Sequence, residues 1–269
     1  MPVAPTPTEI YRRAIDEGDR RLSATGLELL ASGFNAGFTI VFGIAALAVV
    51  HALVEPALGP EAARLAGALA FGIGLVFLVV SRSELFTENF FDPVATAFER
   101  GGSGVVLKLL RLWMGVLVLN LVGGAILAVI LSVDGVLPPG SERALRTVAE
   151  EIVAKETTAA FANAVVGGAL VTLLSFLLQA VDRVLSRMVV AYLIGFLLAV
   201  GPFAHVVVTV HHLLLGALAK APVGFDQIAA ETAIAIIGNL IGGLGFVTLT
   251  HIAQARGEGR AHRSSDARA

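Results

Sequence analysis

The chain has 269 residues and no cysteine, which excludes disulfides, thiolate metal sites and cysteine nucleophiles. Charge is scarce: Asp, Glu, Lys and Arg make up only 15% of it, against about 25% in an ordinary soluble domain. No His-Glu-x-x-His and no Gly-x-Ser-x-Gly occurs, so two common hydrolase signatures are missing. Residues 1–25 lack an apolar stretch and do not read as a cleavable signal. A net charge of −2 offers no broad positive field, and no nucleic-acid partner is expected.

Apolar residues dominate instead, at 56% of the chain. The charges gather at the two ends and in short connections. Between them lie apolar runs of about 20 residues, the length that spans a bilayer. Six spans are predicted: 26–54, 62–80 with a resumption at 93–98, 105–133, 158–181, 188–219 with a break at 201–202, and 229–254. Six spans place both ends on one side. Counting Lys and Arg, 13 fall on that side: four in the N-terminal segment, three around the 2–3 connection, two in the 4–5 connection and four at the C-terminus. Five fall on the other side: Arg64, Arg143, Arg146, Lys155 and Lys220. Arg82 lies inside the second span. The basic side is the cytoplasmic one by the positive-inside bias. The expected organisation is a cytoplasmic segment 1–25, a transmembrane domain 26–255 with repeats 26–133 and 158–254, and a basic tail 256–269 expected to be unstructured.

Two polar interruptions sit half a chain apart. Ser83-Glu84-Leu85-Phe86-Thr87-Glu88-Asn89 breaks the second span, and Gly201-Pro202-Phe203-Ala204-His205 breaks the fifth. Each is followed by an Asn-x-x-Gly-Gly signal, at Asn120 and at Asn239. Thr87 to His205 spans 118 residues and Asn120 to Asn239 spans 119. A shared offset points to a duplicated unit. Three spans per unit would invert the second copy in the membrane, so that the breaks meet at the midplane. Proline and glycine make the second break physically credible. An ordinary proline kink is the bland alternative.

His205 is an ionisable residue in an apolar span, which marks a functional hypothesis. A neutral histidine bonded to backbone is the alternative. His211 and His212 follow, but their spacing does not suit a metal site, and none is expected; both are placed at the far end of the half-helix or in its vestibule. No cofactor is implied. The charges Arg82, Glu84, Glu88 and Asp92 are read first as an internal ion-pair cluster with Arg82 held by Glu84 or Glu88, and second as a charged ring at a pore mouth. Asn239 is expected to bond the His205 ring. The Gly-Gly pairs are read as close helix packing.

Several motifs occur in order along residues 25–255: Gly33-Phe34-Asn35-Ala36-Gly37, Phe71-Gly72-Ile73-Gly74-Leu75 running into Glu84-Leu85-Phe86-Thr87, Asn120-Leu121-Val122-Gly123, Phe161 to Val165, Phe203 to His205 and Gly238 to Gly243. In these the chain resembles the formate/nitrite transporter family. The resemblance implies an all-α membrane protein, an aquaporin-like six-transmembrane bundle of two inverted three-helix repeats with helices 2 and 5 broken. It also implies a homopentamer in the cytoplasmic (inner) membrane that passes small monovalent anions such as formate, nitrite or hydrosulfide and is not an enzyme. By position, Thr87 is the loop threonine, His205 the central histidine and Asn239 the asparagine beside it. Phe71 and Leu75 match one hydrophobic constriction, Leu198 and Phe203 the opposite one. Lys155 falls one residue from the family's vestibule lysine, with Glu156 in the matching place. Ala204 replaces an acidic residue, and Glu88 stands where a small one is usual. The mechanism implied is passage of a weak acid with His205 assisting protonation. A channel for small neutral solutes is the alternative.

Overall fold

The computed structural model describes residues 5–266; residues 1–4 and 267–269, the ends of the two expected terminal segments, lie outside the described residues. Among the described residues every regular element is helical. Four helices are long and apolar enough to cross a membrane, and two shorter apolar helices, Val184–Val200 and Val206–Leu218, complete the set.

Helix α1 (Pro7–Leu22) is built for a surface. Thr6 and Glu9 form a reciprocal capping box, and Pro7 occupies the first helical turn. Its buried residues Ile10, Ala14, Gly18 and Leu22 recur every four positions and form one stripe.

Helix α2 (Gly26–Val80) holds 55 residues. Straight, it would reach roughly 80 Å, far beyond a bilayer core of about 30 Å. It folds instead at Gly59, whose φ of 79° is available to glycine at little cost. Its two arms then lie antiparallel. Gly43 meets Gly74 so closely that a Cβ would collide, and Gly67 lies in tight contact with Leu47. The first two predicted spans are therefore a helical hairpin turned at one glycine.

The second span ends at the first break. A 3-10 turn (Phe86–Phe90) and α3 (Asp92–Arg100) follow it. Helix α4 (Ser103–Leu131) packs along α2. The sequence reading did not foresee α5 (Ser141–Val153), an amphipathic helix that lies on α2 and α8. Then come α6 (Thr157–Ala180), α7 (Val184–Val200), the second break, α8 (Val206–Leu218) and α9 (Phe225–Leu240). A π-helical segment (Ile241–Thr248) joins α9 to α10 (Leu249–Asp266). Helix to Asp266 corrects the expectation of an unstructured tail. Thr8 anchors its start, bonding the Ala255 carbonyl and the Glu258 carboxylate.

Candidate functional site

The site grows out of the two breaks. A break frees N–H and C=O groups that lipid cannot satisfy. Asn120 supplies the missing partners at the first. Its Oδ1 accepts from the Phe86 N–H at 3.0 Å, while its Nδ2 donates to the carbonyls of Gly33 at 2.8 Å and Glu84 at 2.9 Å. Asn239 does the same at the second. Its Oδ1 accepts from the Val206 N–H at 2.9 Å, and its Nδ2 donates to Ala164 at 2.7 Å and Ala204 at 2.8 Å. Backbone bonds repeat the pattern: Glu84 N–H to Ser32 O, and Ala204 N–H to Asn163 O.

This bonding sets the register of the two halves. Phe86 answers to Val206 and Glu84 to Ala204, an offset of 120 in both cases. The spacing of these bonded groups is thus close to the 118 and 119 residues that separate Thr87 from His205 and Asn120 from Asn239. Asn239 does not bond the His205 ring, because its three contacts are all spent on backbone. Glycine makes the approach possible. A Cβ at Gly37 would strike the Asn120 backbone, and one at Gly168 the Asn239 backbone.

Thr87 and His205 are both fully buried, and they meet: Thr87 Oγ1 and His205 Nε2 are 2.5 Å apart. The Thr87 carbonyl accepts from Thr172. His205 Nδ1 is buried with no partner. Asn120 thus braces the break that carries Thr87, Asn239 the break that carries His205, and Thr87 and His205 touch.

Two cavities are lined by residues of the breaks, though not by Thr87 or His205 themselves. The first, of about 120 Å³, is bordered by Phe71, Leu198, Phe203, Ala204, Val208, Thr209 and His212, with Arg64, Glu151, Lys155 and Glu231 among its charged groups. The second, of about 80 Å³, is bordered by Ser83, Glu84 and Glu88 of the first break, Glu17, Arg20 and Arg21 of α1, and Arg82, Gln179 and Arg187. Phe71 borders the same cavity as Leu198 and Phe203. Leu75 is buried in the apolar core and borders neither cavity. Lys155 and Glu88, expected in a vestibule, fall at different cavities. Glu156 caps α6 and borders neither.

Lys155 Nζ donates to the Pro202 carbonyl at 3.1 Å and so braces the second break. Burial pushes its ammonium below the ordinary value; Glu151 and Glu231 oppose that and Arg64 adds to it. His212 borders the first cavity, as the vestibule reading expected, but His211 does not. It is wedged beside Gly124, with Nδ1 2.6 Å from the Val207 carbonyl and Nε2 3.2 Å from that of Leu121.

The ion-pair cluster exists with other cations. Among the described residues Arg82 joins no ion pair. Its φ of 55° at the end of α2 turns the chain there, and its side chain stays exposed. Arg20 and Arg21 of α1 take its place. Arg20 pairs with Glu17, Glu28 and Glu84, and Arg21 with Glu17, Glu84 and Asp92. Asp92 is also bonded by Ser175 and Gln179. Sequence reasoning missed these partners. Two arginines in the last turn of an amphipathic helix were the available signal, and nothing local ties them to Glu84.

Comparison with known proteins agrees with this architecture. The formate/nitrite transporter family model matches residues 8–253. The Inner membrane protein YfdC of Escherichia coli (strain K12) is 24% identical over 259 residues, covering 96% of this chain and 82% of that protein. A solved structure described as an FNT family ion channel superposes with a TM-score of 0.78 at 20% identity, covering 91% of this chain and 98% of the other. A pentameric formate channel with formate bound gives 0.67 at 21% identity, covering 88% and 96%. With its apolar helices, its paired asparagine-braced breaks and a family match along nearly its whole length, the chain is a membrane protein that belongs to the formate/nitrite transporter family.

Proposed function

We propose that this protein is a channel or transporter for small monovalent anions of weak acids, formate first among them. In this reading it works as a homopentamer in the inner membrane with both termini in the cytoplasm. One observation carries it: the buried Thr87–His205 contact joins the two breaks, and each break gives a chain neighbour of that contact to a separate cavity, Ala204 to the first and Glu88 to the second. Apolar side chains, Phe71, Leu198 and Phe203, wall the approach from the first cavity.

A bare anion in so apolar a passage faces a desolvation cost on the order of tens of kcal/mol in an idealised low-dielectric medium. A neutral weak acid faces far less. The N-terminus of α8 begins at His205 and presents a positive dipole end to an anion halted there. The imidazole, with Nε2 at Thr87 and Nδ1 unpartnered, can then supply a hydrogen bond or a proton. The neutral acid crosses and ionises on the far side. The proposed inverted arrangement of the halves places both breaks at the same depth. Formate is suggested by the solved relative that holds it.

Formate uptake into proteoliposomes at two pH values tests this. His205→Asn keeps polar volume but removes the titrating group. The variant should assemble and lose the pH dependence of uptake. Equal pH-dependent uptake in both proteins would leave His205 as a structural residue. A neutral-solute channel is the second reading, favoured by the first cavity's balanced charges, Arg64 and Lys155 against Glu151 and Glu231. Solute-driven swelling without formate flux would select it.

A further inference from the structure

Among the described residues, Glu88 is the one carboxylate at the breaks that joins no ion pair. We propose that it is the proton acceptor at which a neutral acid ionises as it leaves the narrow passage toward the α1 face. This rests on the weak-acid reading above and names the exit step for it.

The argument is geometric. Glu88 follows Thr87 on the same 3-10 turn. Successive residues on such a turn point about 120° apart. Thr87 reaches the His205 ring while Glu88 borders the cavity on the α1 side. The two neighbours thus face the passage contact and the exit. Glu88 is 3% exposed, and among the described residues it is in no ion pair. The cations that would neutralise it are engaged elsewhere: Arg20 by Glu17, Glu28 and Glu84, Arg21 by Glu17, Glu84 and Asp92. The charged groups around it are those of α1 (Glu17, Arg20, Arg21), the break (Glu84), α3 (Asp92), and the cavity rim (Arg82, Arg187). Arg187 is bonded to the Leu178 carbonyl, and Arg82 is exposed. A buried carboxylate that feels Arg21 only at a distance, in no direct ion pair among the described residues and open to a small polar cavity, is suited to exchange a proton with what enters that cavity.

The step balances. The proton on the acid's oxygen moves to a Glu88 carboxylate oxygen. The acid becomes its anion and leaves through the cavity, where Arg82 and Arg187 favour negative charge. Protonated Glu88 then releases the proton to water in the cavity and is restored. Protonated beforehand by low pH on the α1 face, it cannot accept.

The test is tracer exchange of formate in proteoliposomes whose α1 face is oriented by capture of an N-terminal tag. The pH is varied on one face at a time. Wild type, Glu88→Gln and Glu88→Asp are compared at matched pentamer content. The driving force changes equally in all three, so the ratio of variant to wild-type exchange is the readout. For Glu88→Gln the ratio should change severalfold with pH on the α1 face and stay flat with pH on the other. Glu88→Asp should restore the wild-type dependence, shifted along the pH axis. A flat ratio on both faces, with exchange intact, overturns the role of Glu88 alone. A Glu88→Gln protein that fails to assemble leaves Glu88→Asp as the arbiter: a profile unshifted from wild type overturns the proposal. Absence of formate exchange in wild type removes the weak-acid reading, and the Glu88 role with it.

Discussion

Asn239 illustrates how much a single carboxamide can hold. It can make about four hydrogen bonds, and three go to backbone groups that the break frees. Asn239→Ala should leave the Val206 N–H and the Ala204 carbonyl unpaired in a buried setting. Each such group costs roughly 1–3 kcal/mol, so the variant should melt clearly earlier in detergent. Asn120→Ala should lose a similar amount, because it makes the same three kinds of bond. An unchanged melting curve for either variant would show that its break is held by something else. Much of this pair was visible in the sequence, since two Asn-x-x-Gly-Gly signals share an offset. The ring bond expected for Asn239 was not there, because sequence spacing does not say which atom a side chain faces.

At the scale of an element, α1 is held in place by a contact that depends on pH. Gly18 lets it press on α3, where a Cβ would strike the Asp92 carbonyl. Its inner end is fixed by charge. Burial pushes the Glu17 carboxyl up, but hydrogen bonds and charge from Arg20 and Arg21 outweigh that and bring it down to about 2. The sign follows from linkage. A carboxylate depressed in the folded state gives its full stabilisation above its ordinary value of 4.5, and that stabilisation is lost as pH falls through about 2. A fluorophore on the exposed Arg12→Cys should report constant docking of α1 from neutral pH down to about 5, then progressive release in stronger acid. Glu17→Gln should weaken docking at neutral pH and flatten that acid limb. The same acid release in the variant would assign the effect to other carboxylates.

For the whole molecule, the outer surface is apolar in a way that water does not permit. Leu107, Met114, Leu185 and Phe246 are all largely exposed in the single chain. Lipid or neighbouring copies must cover them. The proposed topology puts α1 on the cytoplasmic side and Arg143, at the start of α5, outside. The absence of native cysteine makes single-cysteine labelling clean. A cysteine at residue 143 should react from outside and one at residue 12 from the cytoplasm. Reaction of residue 143 only from the cytoplasm would overturn the inverted-repeat reading. Mild cross-linking in membranes should stop at five copies; a ladder that ends earlier would remove the pentamer.

The sequence by itself determined the membrane class, the positions of the two breaks and the family. Hydropathy, proline and glycine act locally, and the Asn-x-x-Gly-Gly signals mark close helix contacts by their own small size. Tertiary structure alone decided the partners. It put Thr87 in contact with His205, drew Phe71 to the same cavity as Leu198 and Phe203, and brought Arg20 and Arg21 to Glu84 in place of Arg82. It also left Glu88 beside a cavity and, among the described residues, outside every ion pair. Ion pairing and cavities depend on distances through space between residues far apart in the chain, and a hydrophobic pattern fixes which face of a helix is buried without fixing which side chain meets it.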